Sequence, residues 1–252
     1  IDLPNVYIPK YWKTSDTTYA SRRKSVDTMV KTHRDRALNS SYGAAYAPWV
    51  NIVEGSKTLW VPPSVVALGT FASSDAQSAP WFAPAGFTRG GLSEGSSGLS
   101  VVGVTHKFTS RDRDDLYDVD VNPIASFPAE GIVIFGQKTL QAFDSAVDRI
   151  NVRRLMIFVK KRVSFIASRL LFDNNVEATW NRFKSQVEPL LGSIRSGGGL
   201  SDFRVVLDET TTTPDLVDRN IMYAKIFLKP ARAIEFIAID FVITRSGASF
   251  DD

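Results

Sequence analysis

Apolar residues recur every three or four positions in two stretches of the second half of the chain. Val152, Leu155, Met156, Val159, Val163, Ile166 and Leu170 form one stripe, and Arg153, Lys160, Lys161 and Arg169 fall largely outside it. That spacing predicts an amphipathic helix. Val176, Trp180, Phe183, Val187, Leu190, Leu191 and Ile194 form a second stripe. Asn174, with Glu177 three residues on, predicts a variant capping box. Pro189 predicts a kink or a restart, and Gly197-Gly198-Gly199 the helix end. Around these helices the period changes to that of strands. Gly131 to Gly136 is a short apolar run bounded by glycines, and Phe203–Leu207, Met222–Leu228 and Ala233–Ile243 follow. In the last of these, Ile234, Phe236 and the alternation Ala238, Asp240, Val242 predict a half-buried strand. The Trp180 stripe is expected to pack on a sheet containing residues 132–135 and 234–242.

The first half is less periodic. Residues 1–20 read as an extended connector, with Pro4 and Pro9 against helix. Ser21 to Leu38 predicts a charged helix with Val26, Met29, Val30 and His33 on one face. Tyr42 to Val53 is rich in aromatics and alanine, and Pro62-Pro63 separates it from the apolar segment Val65–Phe71. Residues 73–100, rich in Ser, Gly, Ala and Pro, predict a long surface loop. Asp112, Asp114, Asp115, Asp118 and Asp120 follow as an expected solvated acidic loop; the glycine and glutamate of an EF-hand calcium loop are missing. A strand, then helices, then several strands reads as α+β.

Composition narrows the function. A chain of 252 residues with 44% hydrophobic residues can build a substantial core. It has no cysteine, which removes disulfide, zinc–thiolate and thiol chemistry. No apolar run approaches the roughly 20 residues that span a bilayer, and no signal peptide is visible. The chain starts at Ile1 without methionine, so it is expected to be a fragment or a processed chain. Net charge is +3, too small to argue for nucleic acid. Basic residues do cluster at Arg22-Arg23-Lys24 and at Arg153, Arg154, Lys160, Lys161 and Arg162. Such clusters suit DNA, a membrane surface, an acidic protein or merely solvent.

Candidate chemistry fails on spacing. His33-Arg34-Asp35 starts like a kinase catalytic loop, but the fifth residue after the aspartate is Ser40 where asparagine is needed. Gly136-Gln137-Lys138-Thr139 resembles the end of a phosphate-binding loop, yet Gln137 separates glycine from lysine. Asp208-Glu209 and the threonines after it read as a strand end entering a turn, since adjacent strand residues face opposite ways. With only His33 and His106, no histidine-rich metal site exists. No catalytic residue, cofactor or metal is therefore expected, and the chain is read as a non-enzyme.

Several segments together resemble a known family. Ala44-Ala45-Tyr46-Ala47-Pro48-Trp49-Val50 precedes Val61-Pro62-Pro63-Ser64; Phe127-Pro128-Ala129-Glu130-Gly131-Ile132 and Phe135-Gly136-Gln137-Lys138-Thr139-Leu140 follow. Then come Ile150-Asn151-Val152-Arg153-Arg154-Leu155, Phe172-Asp173-Asn174-Asn175 with Trp180, Arg195-Ser196-Gly197, and Asp208-Glu209-Thr210-Thr211 with Thr213-Pro214. Their order from about residue 44 onward resembles contractile-tail sheath proteins of bacteriophages and related injection systems. Residues 1–40 and Gly86 to Asp120 depart from the pattern.

The resemblance implies an α/β part related in shape to subtilisin, here partial, over residues 1–125. An α+β C-terminal sheath domain with helices on a mainly antiparallel sheet would occupy 126–252. It implies a structural subunit that polymerises around a tail tube and contracts to drive the tube through the host envelope for genome delivery. The implied partners are other sheath subunits, the tail tube protein, and baseplate and tail terminator proteins, without direct nucleic acid or membrane insertion. The implied location is the virion tail, assembled in the bacterial host cytoplasm. Arg153, Lys160, Lys161, Arg182, Lys184 and Arg195 are the expected tube-facing basic residues. Residues 244–252, with Thr244, Arg245 and Phe250, are the expected inter-subunit arm. A basic nucleic-acid-binding module is the alternative reading.

Overall fold

The computed structural model describes residues 1–3, 26–93, 97–235 and 237–238. Three small sheets and two long helices carry the architecture. The first sheet joins β1 (Ala45–Ala47), β5 (Val121–Phe127) and β6 (Gly131–Ile134), with β1 parallel and β6 antiparallel to the central β5. Side chains alternate across a strand, and here the alternation feeds two cores. Ala45, Ala47 and Val121 enter one with Leu116 and Leu140. Tyr46, Ile124 and Ile134 enter the other. The first face is covered by α1 (Val26–Arg34) and α4 (Ser110–Tyr117). The second is covered by α2 (Pro63–Gln77) and the antiparallel sheet β3–β2–β4, whose strands are β2 (Val50–Glu54), β3 (Lys57–Val61) and β4 (Ser100–Val104).

Helix α1 buries Val26 and His33, in keeping with the predicted face. The predicted apolar segment Val65–Phe71 is the body of α2, which has Pro63 in its first turn and buries Val66, Ala67, Thr70 and Ser74 at helical spacing. Asp2 sits over the start of α2, where its carboxylate accepts from the Ser64 N–H and hydroxyl, both at 2.8 Å. A negative charge is favoured at that end of a helix.

Two expectations for the first half are corrected. Residues 73–100 are not a long surface loop. They finish α2, form α3 (Gly86–Arg89), and then run beside β6, where the Leu92 N–H donates to the Ile132 carbonyl at 2.8 Å and Leu92 is fully buried. The small-residue composition reflects close backbone approach: a Cβ on Gly90 would lie 2.6 Å from the Ile134 carbonyl oxygen. The aspartate cluster is likewise not a loop. Asp112, Asp114 and Asp115 lie in α4, capped reciprocally by Thr109 and Asp112, Asp118 is its C-cap, and Asp120 follows. Burial opposes the charge of Asp112, but the Thr109 N–H and hydroxyl outweigh it and lower its pKa.

The second half holds α5 (Ile150–Ser168), α6 (Glu177–Ser196), β7 (Leu200–Val206), α7 (Pro214–Asp218) and β8 (Lys225–Pro230). Helices α5 and α6 pack on each other and on the antiparallel pair β7–β8 through Leu155, Val159, Trp180, Phe183, Val187, Leu191 and Ile194. Helix α6 runs through Pro189, which lies on its exposed face. Its N-cap is Val176, without a side-chain cap, so the Asn174–Glu177 capping box is not formed. Asn175 acts there instead: its amide accepts from the Trp180 indole at 2.8 Å and donates to the Ile221 carbonyl at 3.1 Å.

The sheet expected under Trp180 is also corrected. Ile132 and Ile134 belong to the second core, and Trp180 packs on β7–β8. Residues 231–235 and 237–238 form no strand, and the rest of the predicted strand to Ile243 lies outside the described residues. The mixed helix and sheet class agrees with the expected α+β reading. The line drawn between residues 125 and 126 falls within β5.

Candidate assembly surface

The most distinctive surface is built by α5 and β8. Apolar residues of α5 face Ile226 and Leu228 across a cleft of about 410 Å³, which Tyr42, Arg153 and Lys160 also line. Arg153 is half-buried, bonds the Ser41 hydroxyl, and stacks over the Tyr42 ring at 4.3 Å. Beside the cleft the pair β7–β8 is a two-stranded sheet, so each strand has an unpaired edge among the described residues.

The six candidate basic residues do not make one patch. Arg153 and Lys160, two turns apart on α5, line the same cleft. Lys160 and Lys161 are exposed and have no ion-pair partner among the described residues. Arg182 pairs with Asp173 at 3.2 Å. Arg195 lies 3.9 Å from Asp202 and over the Phe203 ring. Those two arginines are thirteen positions apart on α6, about 20 Å at 1.5 Å per residue. Lys184 is half-buried, and its charge helps to lower the pKa of Asp208, after the larger effect of the Thr210 hydroxyl. Thr244, Arg245, Phe250 and the cluster Arg22-Arg23-Lys24 lie outside the described residues.

The motifs weighed for chemistry have structural employment. The Lys138 ammonium donates to the Tyr117 carbonyl at 2.7 Å, lies 3.6 Å from Asp120 and sits over the Tyr117 ring. A lysine so engaged ties α4 to the loop after β6. Asp208 closes a turn, accepting from the Thr210 N–H at 2.9 Å while its carbonyl accepts from Thr211 and Thr212. His33 is buried against the first core, with its Nδ1 lacking a partner. Among the described residues no three His, Cys, Asp or Glu side chains gather as a metal site requires, and no helix is long and apolar enough to cross a membrane.

Sequence reasoning missed Tyr42, Trp81, Asn175 and Glu235. Trp81 was visible as a lone indole in a small-residue stretch. Glu235 carried no signal, because its partners are 86 and 98 positions away.

Residues 143–244 match the family model described as the phage tail sheath C-terminal domain. The tail sheath protein of Vibrio phage KVP40 is 42% identical over 191 residues, which are 76% of this chain and 28% of that protein. The tail sheath protein of Enterobacteria phage T4 is 35% identical over 241 residues, 96% of this chain and 34% of that protein. The chain belongs to the tail sheath protein family. It spans about a third of the length of these relatives. A solved sheath complex of the extracellular contractile injection system PVC, in its contracted state, shares the fold. The TM-score is 0.73 at 24% identity, over 84% of this chain and 60% of that one.

Sheath-family membership accounts for why the motif blocks keep their order while their side chains serve packing and turns. Trp180 of the Phe172–Trp180 block is a core residue, and Asp208 to Thr211 build a turn.

Proposed function

We propose that this chain is the C-terminal part of a structural, non-enzymatic subunit. It polymerises with copies of itself around a tail tube and contracts to drive the tube through the host envelope. The relation to tail sheath proteins carries this reading. The partners are further sheath subunits, the tube, and the baseplate and terminator proteins at the two ends. The location is the virion tail, after assembly in the host cytoplasm. The proposed functional parts are residues 1–125 and 126–252, the second holding the core built by α5, α6, β7 and β8.

Residues 244–252 act as an arm that links neighbouring subunits by adding a strand. The two-stranded sheet β7–β8 favours this, because its outer edges present backbone donors and acceptors. Lys160 and Lys161, exposed and unpaired among the described residues, face an acidic tube wall. Their contacts are worth about 0–1 kcal/mol each, so the sheath can leave the tube during contraction. Arg153, Arg182, Lys184 and Arg195 are the remaining tube-facing candidates, with Arg153 beside Lys160 in the same cleft. Deleting residues 244–252 from the full-length protein tests the arm by sedimentation. Folded monomers that no longer polymerise support it, and unchanged polymers reject it.

A further inference from the structure

The chain leaves β8 as a strap, residues 231–235, that returns from the second half of the molecule to the first. At one end the Ala231 N–H donates to the Gly199 carbonyl at 3.1 Å. At the other, Glu235 is inserted between elements of the first half. Its Oε1 accepts from Arg149 Nε at 2.8 Å and from Gln137 Nε2 at 3.1 Å, and its charge acts on the Tyr117 phenol. The Glu235 side chain is 18% exposed, so it is largely withdrawn from water.

The apolar residues of the strap do not hold it. Ile234 in the strap is 81% exposed, and Ile237 just beyond it 77%. The strap is flanked by two hollows, one of about 250 Å³ with Arg113, Tyr117 and Phe135, and one of about 390 Å³ with Asn151 and Val152. It is suspended over open space rather than packed into a groove. An apolar strap normally buries its isoleucines; this one buries its carboxylate.

We propose that Glu235 is a positioning residue: it clamps the root of the C-terminal segment to Arg149 and Gln137, and so fixes where and in which direction residues beyond 235 leave the body. Two donors from two places, the loop after β6 and the start of α5, define one point for the carboxylate. Charged hydrogen bonds of this kind are directional as well as strong. The groups around the carboxylate stay in the required state. Burial first, and then the Glu235 charge, raise the Tyr117 pKa, so the phenol stays neutral. Burial opposes the Arg149 charge, but the bond and charge of Glu235 outweigh it and raise its pKa. Asp148 lies 3.2 Å from the same guanidinium and orients it.

The mechanical consequence rests on the reading of residues 244–252 as an inter-subunit link. A pull on that link is delivered through Glu235 to the loop after β6 and to α5. It bypasses the two-stranded β7–β8 sheet, which a direct pull on β8 would peel. The bending root then lies after residue 235.

Hydrogen exchange on the full-length protein tests the clamp without reference to assembly. In Glu235→Ala, amides of the strap should exchange at least about tenfold faster, the scale of one lost charged hydrogen bond. Amides of α5 and α6 should keep their protection. Arg149→Ala should act in the same direction but more weakly, since Gln137 still donates, and Glu235→Ala with Arg149→Ala should be no worse than Glu235→Ala alone, because that variant already lacks the Arg149 bond. Unchanged strap exchange in Glu235→Ala overturns the proposal. So do additive effects, or a loss of protection spread equally over α5 and α6. If the clamp passes while deletion of residues 244–252 leaves polymerisation intact, the link reading fails and the clamp stands.

Discussion

The indole of Trp81 donates to the carbonyl of Gly197 at 2.8 Å, across 116 positions of sequence. The ring lies against the end of α6, where a Cβ on Gly199 would come within 2.8 Å of Trp81 and 2.7 Å of Ile194. The Asn151 amide, at the start of α5, donates to the Trp81 carbonyl at 3.2 Å. The triple glycine is therefore a seat for Trp81, and through it the first half of the chain is fastened to the second. Gly199→Ala must displace the ring or the isoleucine. It should cost about 1–3 kcal/mol, the range for overpacking a close contact. Trp81→Ala should cost about 2 kcal/mol, less than a fully buried tryptophan, because the ring is half-buried. Chemical denaturation of the two variants measures both.

Trp180 is the centre of the second-half core. It is 7% exposed, and its indole is satisfied by Asn175. Trp180→Ala should destabilise by roughly 3–5 kcal/mol. Trp180→Phe, which keeps most of the volume but strands Asn175, should cost about 1–3 kcal/mol. Equal losses for the two would show that the hydrogen bond dominates.

His33 makes stability depend on pH. Burial first, and then the Arg36 charge, lower its pKa from the ordinary 6.5. A base whose folded pKa lies below its unfolded value takes up a proton on unfolding as pH falls through 6.5. Its neutral form therefore contributes fully above about pH 6.5, and stability is lost from there toward the folded pKa. The slope cannot exceed about 1.4 kcal/mol per pH unit for one group. Thermal melts between pH 8 and pH 5 should show the decline in the native protein, and His33→Gln should flatten it.

Lys160 and Lys161 are the basic candidates best placed for a partner. Reversing both, Lys160→Glu with Lys161→Glu, should leave the melting temperature within a few degrees, as surface changes do. Assembly on the tube should be impaired, and less so at high salt, which screens the new repulsion. Normal sheathed tubes from this variant would remove these lysines from the tube interface.

The parts of the fold legible in the sequence were those whose signal is periodic. The stripes through Leu155 and Trp180 have the spacing of buried helix faces, and both are helices in one core. The strand predicted from Ala233 does not include residues 233–235, and most of the alternation Ala238, Asp240, Val242 lies outside the described residues. Glu235 is held by Arg149 and Gln137, contacts set by tertiary structure and invisible to any local window. Residues 73–100 read as a loop because small residues are shared by solvated loops and by tightly apposed backbones; Gly90 against the Ile134 carbonyl shows the second use. The acidic run read as a loop because five aspartates hide the single buried Leu116 on which α4 turns inward. Sequence cannot say which of the basic candidates are already paired. Arg182 with Asp173 and Arg153 with Tyr42 are engaged within the chain, whereas Lys160 and Lys161 have no ion-pair partner among the described residues.

The central claim is that the full-length protein builds a sheath around a tube. Electron microscopy of that protein, produced together with its tube subunit, tests it most directly. The account predicts tubes encased by a regular sheath that shortens and widens on contraction, with residues 143–244 in every repeating subunit. Well-folded protein that stays monomeric beside bare tubes would contradict it.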